Sequence, residues 1–326
     1  MKTTTLLLVF LLFSAVTAQA DTFGSGANTF DIEFVGIGNP GNAADTTGDP
    51  NAAGAVPYVY NMGKFEVSRD MIEKANSLGG LAVTLFDMSG QGGNGVNRPA
   101  TGVTWNEAAR FVNWLNTSEG FSPAYKFALQ PGEGGYSANA NIELWTGSDA
   151  GFDPSNAFRN SLAQYFLPSV DEWYKAAYYD PNAGVYYNYP TGSDTAPTAV
   201  ASGTAADTAV YDQSLEQGPA DITVAGGLSP YGTMGQGGNL HEWEETEFDL
   251  MNDSSSSARG YRGGDWLNDF IFSGDLLSSS RISGATNDEA WISAIGIRVA
   301  SIPEPSTALL GVLSTAGLLM CRRRLS

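Results

Sequence analysis

The sequence predicts one α+β domain that has little regular secondary structure and long loops between its elements. Helices are indicated where capping residues precede amphipathic stretches, and strands where polar and apolar residues alternate. Most of residues 118–160 and 180–260 consist of Gly, Ser, Asn, Asp and Thr between aromatic residues, which is typical of loops. Loops of this length in a compact domain usually serve a function or are held by ions. We see no repeat of fixed period, which argues against a solenoid or a propeller.

The predicted strands are short. Residues 31–34 alternate polar and apolar side chains, as a half-buried strand does. Residues 38–57 are rich in Gly, Asn, Ala, Asp and Pro and predict a loop. Residues 64–67 alternate again and predict a second strand. A last strand is predicted over residues 295–299, where three aliphatic residues alternate with Gly and Arg.

Three helices have recognisable start signals. Ser68 can cap a helix whose apolar face is Ile72, Ala75 and Leu78 and which ends at Gly79–Gly80.

The other two helices begin with stronger signals. Thr104 with Glu107, and Ser169 with Glu172, have the spacing of a capping box, in which the two side chains satisfy each other's backbone amides. Apolar residues follow at helical spacing in both cases, and Pro168 prevents the second helix from running in from upstream.

The N-terminus resembles a secretory signal peptide over residues 1–20. Lys2 supplies the positive region, residues 6–13 form an apolar run, and Ala18 and Ala20 are the two alanines of an A-x-A cleavage site that precedes Asp21. This predicts export through the Sec machinery. The alternative is a retained anchor helix, for which the apolar run is short.

The C-terminus, residues 303–326, carries three features in order. Pro303, Glu304 and Pro305 precede an apolar run over residues 306–321, and the cluster Arg322, Arg323 and Arg324 follows. This arrangement resembles the PEP-CTERM sorting signal, which is read by the exosortase membrane protease of exopolysaccharide-producing Gram-negative bacteria. The resemblance implies a short transmembrane helix, transient anchoring in the inner membrane, and delivery to the cell surface or extracellular matrix. The alternative is an ordinary C-terminal tail anchor.

The composition excludes several classes of function. The 326 residues include 16 Lys and Arg against 35 Asp and Glu, a net charge of −19. Without its two ends, the body over residues 21–302 has 12 basic and 34 acidic side chains, or −22. Such a charge argues against a nucleic-acid partner, which would need clustered cations. One Cys excludes an internal disulfide or a Cys-cluster metal site, and one His excludes a three-His centre.

Five stretches of the body, in order, resemble motifs of the formylglycine-generating enzyme family, also called the sulfatase-modifying-factor domain. They are N-M-G-K-F-E-V-S from Asn61, V-T-W through N-W-L from Val103, L-P-S-V-D-E-W from Leu167, G-N-L-H-E-W from Gly238, and R-G-G-D-W from Arg262 with the terminal G-I-R. The resemblance implies a single irregular α+β domain, distantly like C-type lectins. The Trp residues of these motifs are expected in the core, because large aromatic side chains dominate buried area.

The cofactor chemistry of the family is only partly represented. The resemblance implies that active members bind copper through two cysteines between the R-G-G-D-W motif and the final G-I-R motif. Here that interval, from Leu267 to Ile295, contains neither Cys nor Met. Because Cu(I) prefers sulfur ligands, no copper is expected. The family also holds calcium, and matching residues gives the carbonyls of Gly238 and Leu240 and the carboxylate of Glu242 as ligands. A further ligand position falls on Gly235, which has no side chain, so water or Asn239 would have to replace it.

Two further features of this region have open interpretations. Glu242 could instead bond backbone amides of its Gly-rich loop, and His241 is either a general base or an ordinary half-buried or exposed imidazole. Glu244, Glu245, Glu247 and Asp249 form a charge run, which is usually a solvated face.

These observations favour a catalytically silent family member that is displayed at the cell surface and binds a glycan or matrix ligand. Aromatic faces can stack on sugar rings, and Asn and Asp can bond their hydroxyls. A second hypothesis is an enzyme, of formylglycine-generating or other oxidoreductase type, with an unrecognised mechanism. A third is a passive matrix or envelope component. No catalytic residue is predicted.

Overall fold

A computed structural model describes residues 19–267, 273–287 and 294–303. Among them, no helix is long and apolar enough to cross a membrane. Ala18, Glu304 and Pro305 lie outside the described residues, as do the predicted transmembrane run and the terminal arginine cluster.

The larger sheet joins the two ends of the domain. Its strands are β1 (Gln19–Phe23), β2 (Phe30–Ile37), β3 (Tyr60–Gly63), β4 (Tyr165–Phe166) and β13 (Ala300–Ser301). They lie in the order β1-β2-β3-β13-β4, with every neighbouring pair antiparallel. Because β13 lies between β3 and β4, the last strand of the domain pairs within the same sheet as its first strands.

A second sheet carries the later sequence motifs. It consists of β9 (His241–Glu247), β10 (Arg259–Arg262), β11 (Ile282–Gly284) and β12 (Ile295–Gly296), in the order β11-β10-β9-β12. Two small ribbons complete the strands, β5 (Tyr179–Asp180) with β6 (Val185–Tyr186), and β7 (Thr198–Ala199) with β8 (Thr208–Ala209).

The three predicted helices are confirmed. They are α1 (Arg69–Gly79), α2 (Trp105–Ser118) and α3 (Val170–Tyr178). Ser68 accepts a bond from the amide of Met71, and Gly80 ends α1 in the left-handed conformation. Both predicted capping boxes are formed, and in each the side-chain and backbone bonds are reciprocal.

Three details of the prediction are wrong. The strand predicted at 64–67 lies at 60–63, because the chain leaves the sheet after Gly63 and turns Glu66 inward. The single last strand is divided into β12 and β13, which belong to different sheets. Leu78 is 41% exposed, so the buried face of α1 is Ile72 and Ala75.

The main core lies between α2 and the two sheets. Trp105, Trp173, Trp243 and Trp266 are fully buried, which confirms that most of the motif tryptophans build the core. Their placement agrees with a single irregular α+β domain, as the sequence predicted.

Candidate functional site

Strand β9 is buried along its whole length, although five of its seven residues are His or Glu. The indole of Trp105 donates to the carbonyl of Glu244 (2.8 Å), and the indole of Trp173 donates to Oε2 of Glu242 (2.6 Å). The prediction of a solvated charge run is therefore wrong for Glu244, Glu245 and Glu247, while Asp249 is exposed.

Arginines from distant parts of the chain make this burial tolerable. Each β9 carboxylate faces at least one guanidinium, and Glu172 on α3 joins the same network. The pairs are Glu242 with Arg298, Glu244 with Arg262 and Arg281, Glu245 and Glu172 with Arg159, and Glu247 with Arg259. Five carboxylates are matched by five guanidiniums, so the network is neutral. A buried ion left without its partner would cost several kcal/mol, on the order of 3–5.

The backbone is shaped to admit these pairs. A Cβ on Gly260 would lie 2.2 Å from Oε2 of Glu244 and 2.5 Å from the guanidinium of Arg281. A side chain at this position of β10 would displace the ion pair, which explains why Gly stands within a strand.

The geometry around Glu242 does not fit a calcium ion. Its Oε1 accepts from Nε and Nη2 of Arg298 (3.1 and 2.5 Å), and its Oε2 accepts from Nε of Arg298 (2.9 Å) and from Trp173 (2.6 Å). A carboxylate has about four acceptor positions, and all of them are engaged here. Among the described residues, no group of three or more His, Cys, Asp or Glu could hold a metal ion.

The other two residues predicted with Glu242 lie in a closely packed loop. Gly238 has a φ of +83°, and a Cβ there would lie 2.3 Å from the carbonyl oxygen of Val210, so only glycine allows this approach. The side chain of Leu240 is fully buried. The sequence suggested that Glu242 could instead form hydrogen bonds with this Gly-rich loop. In the structure, another residue bonds the loop.

That residue is Glu66, which sequence reasoning missed. Its Oε2 accepts from Nδ2 of Asn239 (2.5 Å). Its Oε1 is buried and has no hydrogen-bond partner. A Cβ on Gly235 would lie 3.0 Å from Oε2, so Glu66 fills the space that a side chain at Gly235 would need. Burial, and then the charge of Glu242, raise the pKa of Glu66 well above its usual range.

His241 is neither a half-exposed imidazole nor a suitable base. It is 6% exposed, and its Nδ1 accepts from the amide of Gly264 (3.1 Å). Burial lowers the pKa of His241 to about 4, so the ring is neutral at physiological pH. Its hydrogen bond holds the R-G-G-D-W segment against β9, which is a structural role.

An open polar cleft lies beside the ion-pair network. It has a volume of about 350 Å³ and is formed where loops 50–58, 155–159 and 250–252 meet the start of α3. Its lining is mostly polar: Pro50, Ala52, Tyr58, Ser155, Asn156, Arg159, Ser169, Val170, Asp171, Thr246, Leu250 and Asn252.

The cleft is rigidly built at its base. Nη2 of Arg159 lies 2.8 Å from Oε2 of Glu172, and Nε lies 2.7 Å from Oε2 of Glu245. Asn156 donates to the other oxygen of Glu245 (2.5 Å), and the hydroxyl of Tyr58 donates to Oε1 of Glu172 (2.7 Å). Tyr58 nevertheless remains 41% exposed, so its hydroxyl is fixed while part of its ring is accessible.

A larger groove, of about 470 Å³, lies beside Trp114 and has a more apolar lining. Arg110 donates to the carbonyls of Leu129 (2.7 Å) and Ser137 (3.3 Å), and Asn113 exchanges bonds with the backbone of Tyr125. The polar cleft is therefore the better candidate for a ligand.

The interval in which the family carries its copper cysteines has no sulfur ligand in the sequence from Leu267 to Ile295. Residues 268–272 and 288–293 of that interval lie outside the described residues.

Comparison with known families gives one assignment. The model of the sulfatase-modifying factor enzyme 1-like domain matches residues 41–302. The chain belongs to this family. No curated protein matches the sulfatase-modifying-factor-like chain.

Solved structures share the fold of this sulfatase-modifying-factor-like domain at low identity. The Treponema denticola variable protein 1 is 18% identical with a TM-score of 0.56, and the match covers 88% of this chain and all of that one. CarF is 17% identical with a TM-score of 0.55, covering 84% of this chain and 99% of its own. PvdO from Pseudomonas aeruginosa is 14% identical with a TM-score of 0.50, covering 87% and 98%. At these identities the likeness concerns the fold alone.

Proposed function

We propose that this chain is an exported, non-catalytic binding module that holds a glycan in the polar cleft. The observation that carries the proposal is the cleft itself, in which the accessible ring of Tyr58 stands among amide, hydroxyl and carboxyl groups. An aromatic face with a few fixed polar groups is the usual chemistry of a small polar-ligand site. The absence of Cys and Met from residues 267–295 supports a binding role over copper-dependent oxidation.

The two ends of the sequence support a place at the cell surface or in the extracellular matrix of a Gram-negative bacterium. In this proposal the Sec machinery exports the chain, and the C-terminal apolar run anchors the chain briefly in the inner membrane. Exosortase then removes this C-terminal segment. An exopolysaccharide is the glycan within reach of such a protein, and no nucleic-acid partner is proposed.

Processing of the C-terminus is directly testable. We expect the mature surface protein to lack residues 306–326, because the PEP motif precedes the segment that exosortase would remove. Replacing Pro303 and Pro305 by Ala should leave the body anchored in the membrane. Intact-mass measurement of the surface protein is the test, and a species that retains Arg322 to Arg324 would contradict the proposal.

Glycan binding is tested through Tyr58. Titration calorimetry of the purified protein with neutral glucan, N-acetylated chitin and chitosan oligomers should find binding to at least one of them. Tyr58→Ala should weaken that binding about tenfold or more, which corresponds to about 1.4 kcal/mol. The hydroxyl of Tyr58 braces Glu172, so Tyr58→Phe separates the loss of this bond from the loss of the ring.

Phe86→Ala is the matched control. Phe86 is 38% exposed and does not line the cleft, so its removal should leave the affinity unchanged. Absence of binding to every oligomer, or equal affinity of the wild type and Tyr58→Ala, would refute the proposed function.

A further inference from the structure

The charges at the base of the cleft leave one carboxylate unmatched. Arg159 is shared between Glu172 and Glu245, and the larger network to which these three belong has equal numbers of carboxylates and guanidiniums. Asp171 also lines the cleft but takes no part in this pairing. Among the described residues, no Lys, Arg or His nitrogen lies within 4.0 Å of its carboxylate.

Asp171 is held in place without being neutralised. Its Oδ1 accepts from the amide of Gly54 (2.7 Å), which fixes the side chain at the first turn of α3. The residue is partly exposed and lines the cleft. Burial raises the pKa of Asp171, and the charges of Glu172 and Glu244 add to this effect, while the bond from Gly54 and the more distant charge of Arg262 partly oppose it. A cation in the cleft would supply a counter-charge that offsets the repulsion from these two carboxylates.

The rest of the cleft also suits a cation. Tyr58 presents its accessible ring, and the negative face of an aromatic ring attracts an ammonium group. The body carries a net charge of −22, which attracts cationic ligands at long range and repels anionic polymers. The guanidinium of Arg159 cannot serve an anionic ligand equally well, because two buried carboxylates already engage it.

From these three observations we propose that the cleft selects an amine-bearing sugar, with the ammonium group at Asp171 and the sugar ring against Tyr58. This inference rests on the proposed glycan-binding function and specifies its ligand class. Ser155, Asn156 and Asn252 line the same space. Ser155 donates to Asp153 and Asn156 donates to Glu245, and the remaining donor and acceptor positions of these side chains can bond the sugar hydroxyls. A neutral sugar would leave Asp171 unmatched, and a uronic acid would face it with a like charge.

The test compares chitosan oligomers with fully N-acetylated chitin oligomers of the same length, at a mildly acidic pH at which the sugar amines are protonated. Titration calorimetry of the purified wild-type protein should show about tenfold tighter binding of chitosan. Asp171→Asn should abolish this preference while it retains binding to the acetylated oligomer. Asp31→Asn removes the same charge from an exposed site elsewhere and should leave the preference unchanged.

Three results would overturn the inference. The first is equal affinity of the wild type for both oligomers; if Tyr58→Ala weakens both, the proposed glycan function stands without the amine specificity. The second is an equal loss of the preference for chitosan in Asp31→Asn and Asp171→Asn, which would show that the preference comes from the overall charge of the protein. The third is oligolysine binding as tightly as chitosan, which would indicate a general cation site.

Discussion

Replacing Glu244 by Gln should lower the stability of the protein by about 3–5 kcal/mol. Glu244 is fully buried, and its two oxygens bond the guanidiniums of Arg262 (2.5 Å) and Arg281 (2.7 Å). Glutamine keeps the shape but offers one oxygen and an NH₂ group, so at least one buried guanidinium would face a donor. Both arginines would lose their counter-charge in an interior where water cannot replace it.

Thermal or urea unfolding of wild type and variant measures this loss. For a domain of this size, each kcal/mol corresponds to roughly 2–4 °C in the melting temperature. Glu33→Gln is the control, because Glu33 pairs with Lys64 (3.2 Å) at the surface with side chains 47% and 29% exposed. That pair should contribute less than about 1 kcal/mol. Equal stabilities of the Glu244 and Glu33 variants would contradict the structural role of the buried network.

The helices could be predicted from the sequence because their signals are local. A capping box needs two side chains three residues apart, and those at Thr104 and Ser169 form as the spacing indicates. The strand predicted at 64–67 failed because a distant partner decides the conformation there. Glu66 turns inward to reach Asn239, which lies 173 residues further along the chain.

The candidate site was less predictable for the same reason. Glu244 and Glu245 look like a solvated face until Arg159, Arg262 and Arg281 are brought next to them by the fold. One signal was present in the sequence, since alternating Glu in β9 and the Arg pair of β10 are typical of neighbouring strands. The cleft left no such signal, because four separate segments form it and three of them are irregular loops.

The family motif around Glu242 illustrates how far a resemblance carries. It placed Gly238, Leu240 and Glu242 together, and they do lie together, with Gly238 and Leu240 in the buried segment before β9 and Glu242 in β9 itself. It also implied calcium, whereas in this structure the positive charge beside Glu242 comes from Arg298. The residue that braces the turn, Glu66, belongs to the first of the five motifs, and only the fold reveals that the first and fourth motifs meet.

The last prediction concerns this same carboxyl group and depends on pH. Glu66 is 1% exposed, Oε1 has no partner, and Arg298 is already engaged by Glu242. Its folded pKa is therefore raised by burial and by the charge of Glu242, while the pKa in the unfolded chain is about 4.3. Between these two values the folded state binds more protons than the unfolded state, so this group lowers stability progressively as the pH rises through that window.

Glu66→Gln removes the titration, and its amide oxygen can still accept from Asn239. The free energy of unfolding of the variant, relative to that of the wild type, should therefore rise by about 1.4 kcal/mol for each pH unit above the unfolded pKa of Glu66. This rise should stop where the pH reaches the folded pKa. Urea unfolding of both proteins across the range from mildly acidic to slightly alkaline pH measures this difference. Glu33→Gln controls for the loss of one negative charge from an acidic surface. The difference in stability between the two proteins grows with pH only if the folded state binds a proton that the unfolded state has lost. A difference that stays constant with pH would therefore show that the buried carboxyl group of Glu66 does not titrate in this range.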